Sequence, residues 1–220
     1  MRAANLIMPA VALASLLALP SGAHAHPHVW VSVEATVLYA NGAIAGLQEA
    51  WTFDEFYTAQ AIEGLDKNGD GKYDRQELTE LAKVNMDGLK EFSYFTYAKL
   101  ANGERKFKAP ENYWLEHTDK GILTLHFTLP LEEPIGADAG EFSFSVFDPS
   151  YFIAFDLAQD HPVKLGTGAP PTCAAVVHEP ADEEGSDAQK LNDAFSGVLG
   201  SSGSVNFGVA KSVAVHCAKS

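Results

Sequence analysis

The sequence predicts an α+β protein: an antiparallel, β-rich, sandwich-like domain into which a helix-loop-helix is inserted. Three observations carry this. Apolar residues alternate with others at Val29, Val31, Val33, Ala35 and Val37, and again at Phe142, Phe144 and Val146, which is the period of a strand. Asn41-Gly42, Asn102-Gly103 and Lys120-Gly121 punctuate such runs with tight-turn signals. Between about residues 54 and 92 helix formers flank an acidic, glycine-containing loop.

In chain order, Arg2, the apolar stretch Leu6 to Leu19 and the small residues of Ala23-His24-Ala25 have the layout of a secretory signal peptide over residues 1–25. That stretch is shorter than the roughly 20 residues that span a bilayer, and no later run is long and apolar enough. The expectation is a periplasmic protein without stable membrane insertion, with residues 26–220 forming one domain. Val29 to Phe53 reads as a hairpin turning at Asn41-Gly42. The aromatic-rich run Phe92 to Leu100 leads to the Asn102-Gly103 turn, and Lys120-Gly121 joins Tyr113–Thr118 to Ile122–Leu129. Phe142, Phe144 and Val146 share one strand face, with Ser143 and Ser145 on the other. In the inserted segment, Leu78, Leu81, Ala82 and Asn85 recur at helical spacing. Gly166 to Pro171 reads as loop, Glu179 to Asp187 as an exposed acidic stretch, Ala188 to Leu199 as a short amphipathic helix and Ser212 to Cys217 as a closing strand.

The chain holds 15 basic and 29 acidic residues, a net charge of −14 with His neutral. Loss of the leader removes one arginine and makes the charge more negative still. This field repels nucleic acid and anionic membrane and attracts cations. The plainer reading is a well-solvated acidic surface. Cys173 and Cys217 match in number for one disulfide in an exported chain. Closing a loop of about 45 residues is worth roughly 4 kcal/mol on the chain-entropy account. A metal-thiolate pair is the alternative, but without the usual close cysteine spacing.

The loop Asp66 to Glu77 meets every demand of an EF-hand. Such a loop takes oxygen ligands at its first, third, fifth, seventh, ninth and twelfth positions and a glycine at the sixth for the sharp turn. Here Asp66, Asn68 and Asp70 supply the first three, Gly71 turns the chain, Lys72 offers its backbone carbonyl, Asp74 follows, and Glu77 closes the shell. Six residue types are fixed over twelve positions between two helical segments. The expected ion is Ca2+. Tyr73 stands where a branched aliphatic residue usually pairs one EF-hand with another, and no second loop of this kind occurs in the sequence. A lone site of this kind reads as a structural brace.

A second metal chemistry is suggested by histidines. Cleavage after Ala25 leaves His26-Pro27-His28 at the mature N-terminus, two imidazoles and an amine within three residues. Pro27 lacks the amide proton that a square-planar backbone site requires, so amine and imidazoles remain, a set that suits Zn2+, Ni2+, Co2+ or Cu2+. If Lys120-Gly121 is a two-residue turn, His117 and His126 lie on one sheet face as diagonal neighbours and join the candidate set. A slip of one residue separates them. The alternative readings are a fraying N-terminal tail and half-buried strand histidines. No serine-hydrolase elbow, zinc-protease helix or phosphate-binding glycine loop is present, and no enzyme is expected.

The start His26-Pro27-His28-Val29-Trp30, the calcium loop and the block Phe147-Asp148-Pro149-Ser150-Tyr151-Phe152 together resemble the exported bacterial proteins of the DUF1007 family, over most of the chain from His26 to Cys217. The resemblance implies a periplasmic component of a metal transport system, associated in some members with nickel/cobalt-type permeases. The resulting expectation is a metal-binding accessory that assists zinc, nickel or cobalt uptake by an inner-membrane permease, with calcium bracing the insertion. Two other readings stand beside it. One is a copper-dependent oxidative enzyme, since a terminal histidine resembles the copper brace of polysaccharide-cleaving oxidases. The other is a calcium-dependent envelope interaction module.

Overall fold

A computed structural model describes residues 27–101, 103–136, 139–180 and 210–218. The expected leader, His26, Asn102 and the expected helix Ala188–Leu199 lie outside the described residues, as does the expected acidic stretch beyond Pro180. The described residues are β-rich, with two sheets and few helices.

The first sheet contains the expected hairpin, β1 (Val29–Ala40) and β2 (Ala43–Phe53). Ala40 faces Ala43, so Asn41-Gly42 is the two-residue turn, with φ of 51° and 77° as its geometry demands. Two helices follow, α1 (Glu55–Ala61) and α2 (Thr79–Leu89). Asp54 caps α1: its Oδ1 accepts from Tyr57 N–H at 2.8 Å, while Oδ2 accepts from Trp30 N–H at 2.8 Å, so one carboxylate ties the helix to β1. The run expected to be extended from Phe92 is a 3-10 segment over Lys90–Phe95 instead, with Ser93, Tyr94 and Phe95 all at positive φ. This turn drives Tyr94 and Phe95 into the core.

Strands β3 (Thr96–Leu100), β4 (Gly103–Arg105), β5 (Glu111–His117), β6 (Leu123–Gly136) and β7 (Phe142–Val146) come next, then β8 (Ile153–Leu157), β9 (Val163–Leu165), β10 (Cys173–His178) and β11 (Ser212–Cys217). The first sheet runs β5-β6-β2-β1-β8, with β9 also pairing β1; the second runs β10-β11-β7-β3-β4. The second sheet is antiparallel throughout. The first is mixed: β8 pairs with Val29–Val33 and β9 with Ala35–Val37, both parallel to β1. Gly103 pairs with Leu100, so Gly103 lies in a strand and not in the turn.

One apolar face of the first sheet supplies the core. At one end, Ala35, Val37, Leu47 and Leu131 pack against Phe142, Phe144 and Val213 of the second sheet. At the other, Val33, Trp51 and Phe127 pack against Leu78, Ala82 and Met86 at and within α2. Gly46 sits at a register shift where a Cβ would lie 2.5 Å from Leu129 O, so the chains approach only because the residue is glycine. Ser143 and Ser145, which face Lys99 and Tyr97 across the β3 pairing, are buried as well. The Cys173–Cys217 disulfide is present and joins facing residues of β10 and β11.

The register of β5 on β6 departs from the expected one. His117 faces Leu123 and Trp114 faces His126, one residue away from the pairing of a two-residue turn. Thr118 N–H donates to Ile122 O at 2.9 Å, which makes Asp119-Lys120-Gly121 a three-residue loop with Gly121 at φ +76°. The slip puts His117 and His126 on opposite faces of the sheet.

Candidate functional site

The loop between α1 and α2 is organised from its own side chains. Asp66 Oδ1 accepts from the N–H groups of Gly69 (2.7 Å) and Asp70 (3.2 Å), and its Oδ2 accepts from Gly71 N–H (2.9 Å). Asn68 Oδ1 accepts from Asp70 N–H and Asp70 Oδ1 from Lys72 N–H, each at 2.8 Å. These are Asx-type turns, the conformation that short polar side chains favour. Gly69 and Gly71 hold φ of +74° and +76°, open to glycine at no steric cost. Glu77 closes the ring from the far end: its Oε1 accepts from Lys67 N–H at 2.9 Å and its Oε2 from Asp74 N–H at 3.2 Å. Asp74 Oδ1 in turn accepts from Gln76 and Glu77 N–H, starting the turn that runs into α2.

Side-chain oxygens of Asp66, Asn68, Asp70, Asp74 and Glu77 thus all accept from backbone N–H groups of the loop and of the turn that follows it. An all-oxygen set with four carboxylates fits a hard divalent cation such as Ca2+ and not a soft one. Among the described residues, no three His, Cys, Asp or Glu side chains form a convergent metal-holding group.

The loop is seated on β5, the edge strand of the first sheet. On the core-facing side, the Tyr73 ring meets His117 edge-on with centroids 4.9 Å apart. On the other side, the Arg75 guanidinium lies 4.3 Å from the Trp114 ring, and that indole stacks on His126 at 4.0 Å and 11°. His126 Nε2 lies 3.1 Å from Glu116 Oε2. The loop thus straddles the edge strand, which also protects it from pairing with another chain. His117 and His126 serve this seating from opposite faces. Tyr73, unusual at the eighth position, docks the loop onto its own sheet.

His28 is held and not frayed: its N–H donates to Phe152 O at 2.9 Å, and the two rings lie 4.9 Å apart. Phe152 is delivered there by the turn after β7. Asp148 Oδ1 accepts from Ser150 N–H (2.8 Å) and Ser150 Oγ–H (2.7 Å), and Oδ2 accepts from Ile153 N–H (3.0 Å). The Asp148-Pro149-Ser150-Tyr151 block is thus a turn, as expected, whose carboxylate starts β8. His216 Nε2 lies 3.3 Å from Glu141 Oε2, remote from the loop in the fold's second sheet.

Two features were missed from sequence. Glu49 is 1 % exposed, facing the core between Leu47 and Trp51. Its position in the β2 alternation was the available signal. The second is an apolar cavity between α2 and the first sheet, built from α1, α2, β1, β2 and β8 and so invisible to any local motif.

The family model described as "Protein of unknown function (DUF1007)" matches residues 11–217. The chain belongs to this family. The chain is also similar to an uncharacterized protein of Haemophilus influenzae, 27 % identical over 165 residues, which covers 74 % of this chain and 77 % of that protein. An uncharacterized 15.5 kDa protein in the trpE 3' region of Spirochaeta aurantia is 30 % identical over 100 residues, 46 % of this chain and 70 % of that protein.

Proposed function

We propose that this DUF1007 protein is a periplasmic metal-binding accessory that carries one calcium ion in an EF-hand formed by α1, the Asp66–Glu77 loop and α2, and that assists zinc, nickel or cobalt uptake by an inner-membrane permease. One observation carries the calcium reading: Asp66 and Glu77, the first and last ligand positions, both turn back across the loop onto its backbone N–H groups. The residues that would hold the ion are the side chains of Asp66, Asn68, Asp70, Asp74 and Glu77, with the Lys72 carbonyl, which ion binding would draw together. Calcium supplies the positive charge that four neighbouring carboxylates lack. The seating of Tyr73 and Arg75 on β5 would transmit that bracing to the sheet. Titration of the mature protein should give one calcium per chain, and a Glu77→Gln variant none at the same site; equal binding by both would sink the assignment.

The transition-metal role is supported by the anchorage of His28, whose backbone and ring are both held against Phe152. His117 and His126 leave the candidate set, since they face opposite sides of the sheet and are engaged by Tyr73 and Trp114. Equilibrium dialysis of correctly processed protein with zinc, nickel and cobalt should show binding that His26→Ala/His28→Ala abolishes. Identical binding by the variant would remove the site.

A further inference from the structure

β4 pairs with β3 from Ala98 to Leu100, and past Arg105 the chain leaves that partner. Phe107 then bridges to Leu131 of β6, with Lys106 O accepting from Glu132 N–H at 2.9 Å and Lys108 N–H donating to Pro130 O at 2.8 Å. The chain thus crosses from the second sheet to the first between Arg105 and Phe107. Where it parts from β3, beside Thr96 and Tyr97, it leaves a cleft of about 410 Å3. Small-molecule sites are of this size, roughly 300–1,000 Å3.

Charge sets this cleft apart. Lys90, Arg105, Lys106 and Lys108 line it, four of the 15 basic residues of a chain whose net charge is −14. Glu104 and Glu132 line it as well, so its walls are net positive in a strongly negative protein. Three lysines elsewhere meet acids: Lys83 pairs with Asp87, Lys164 with Glu34 and Lys211 with Asp156. Lys90, Lys106 and Lys108 form no ion pair with another described residue, although Glu132 stands opposite Lys106 across the strand pairing. Phe107 packs against both halves of the core, so in this extended run Lys106 and Lys108 share the opposite face. The rings of buried Tyr94 and half-buried Phe107 add apolar surface to the cleft.

Like charges gathered in a concave, partly apolar site focus a field that draws in a counter-ion. Lysine binds phosphate as a point charge and arginine grips it through two N–H groups. A phosphate monoester carries a charge of about −1.5 to −2 at neutral pH, enough to balance the excess here. We propose that this cleft binds a phosphate monoester on an apolar body, the phosphate held among Lys90, Arg105, Lys106 and Lys108 and the body resting on Tyr94 and Phe107.

The probe is naphthyl phosphate, measured by equilibrium dialysis against the mature protein. It is expected to bind, with naphthol, which lacks the charge, and inorganic phosphate, which lacks the ring, each at least about tenfold weaker. Lys106 and Lys108 are exposed, so Lys106→Gln/Lys108→Gln removes two charges without disturbing the core, and it should weaken the ester at least about tenfold. Glu132→Gln removes a carboxylate from the wall and should tighten binding about threefold, a gain that a merely structural role of this segment would not give. Sedimentation with vesicles of phosphatidic acid in phosphatidylcholine identifies the source. Co-sedimentation lost in the double variant supports a phosphate presented by lipid, and ester binding without co-sedimentation supports a free one. No binding of the ester, a control that binds as tightly as the ester, or ester binding unchanged in the double variant would overturn the proposal.

Discussion

Trp51 Nε1–H donates to Glu49 Oε2 at 2.6 Å in the interior, and Thr96 Oγ1 lies 3.1 Å from the other oxygen of the same carboxyl. The contact bridges β2 of the first sheet to β3 of the second. Thr96 has one hydroxyl proton, and Tyr94 O lies 2.9 Å away to accept it. The same hydroxyl is the donor toward Glu49 Oε1, so its proton is shared between the Tyr94 carbonyl and the carboxyl, while the other carboxyl oxygen accepts from Trp51. Burial raises the Glu49 pKa from 4.5 to about 7, with the hydrogen bonds from Trp51 and Thr96 pulling in the opposite direction.

The folded protein therefore holds a proton that the unfolded chain releases above about pH 4.5. The stability this contributes is fully present below pH 4.5 and is lost as pH rises through about 7. Glu49→Gln keeps an acceptor oxygen for Trp51 and removes the charge. It should be more stable than the parent above pH 7 by up to roughly 3 kcal/mol, with the gap closing below pH 4.5. Urea denaturation across this range checks it; a difference independent of pH would contradict the assignment.

His117→Ala and His126→Ala should leave zinc and nickel affinity unchanged and lower stability by about 0.5–1.5 kcal/mol each, through the contacts with Tyr73 and Trp114. Dialysis and thermal melting of the two variants separate these effects. A tenfold loss of zinc affinity in either would restore it to the metal site.

Those two histidines also show where legibility in the sequence ends. Residues from Asp119 to Gly121 form one loop residue more than the turn signal suggested, and that alone moved His117 to the other face. The β1–β2 hairpin was readable because alternation and Asn41-Gly42 are local. β8 and β9 were not, because parallel strands laid along β1 from far down the chain leave no turn to mark them. The turns of the Asp66–Glu77 loop were readable for the same reason as the hairpin: Asp, Asn and Gly at these positions carry their own local geometry. Its seating by Tyr73 and Arg75 depends on β5, some forty residues later, and no spacing rule reaches that far. Glu49 was in phase with Leu47 and Trp51; the alternation carried through β2 would have placed it in the core.

The disulfide fastens β10, the end strand of the second sheet, to β11 across a separation of 44 residues. Cys173→Ser/Cys217→Ser should reduce stability by up to roughly 4 kcal/mol. The parent with reductant should match the variant in denaturant midpoint. Unchanged midpoints in both would mean that β10 adds nothing to global stability.

The calcium brace is tested most directly by thermal melting of the mature protein in 1 mM calcium and in EGTA, with Glu77→Gln as control. With a dissociation constant of about 10 μM, binding adds about 2.7 kcal/mol and raises Tm by roughly 5–10 °C, and the variant shows no such shift. Superimposable melting curves for the parent in calcium and EGTA would contradict the account.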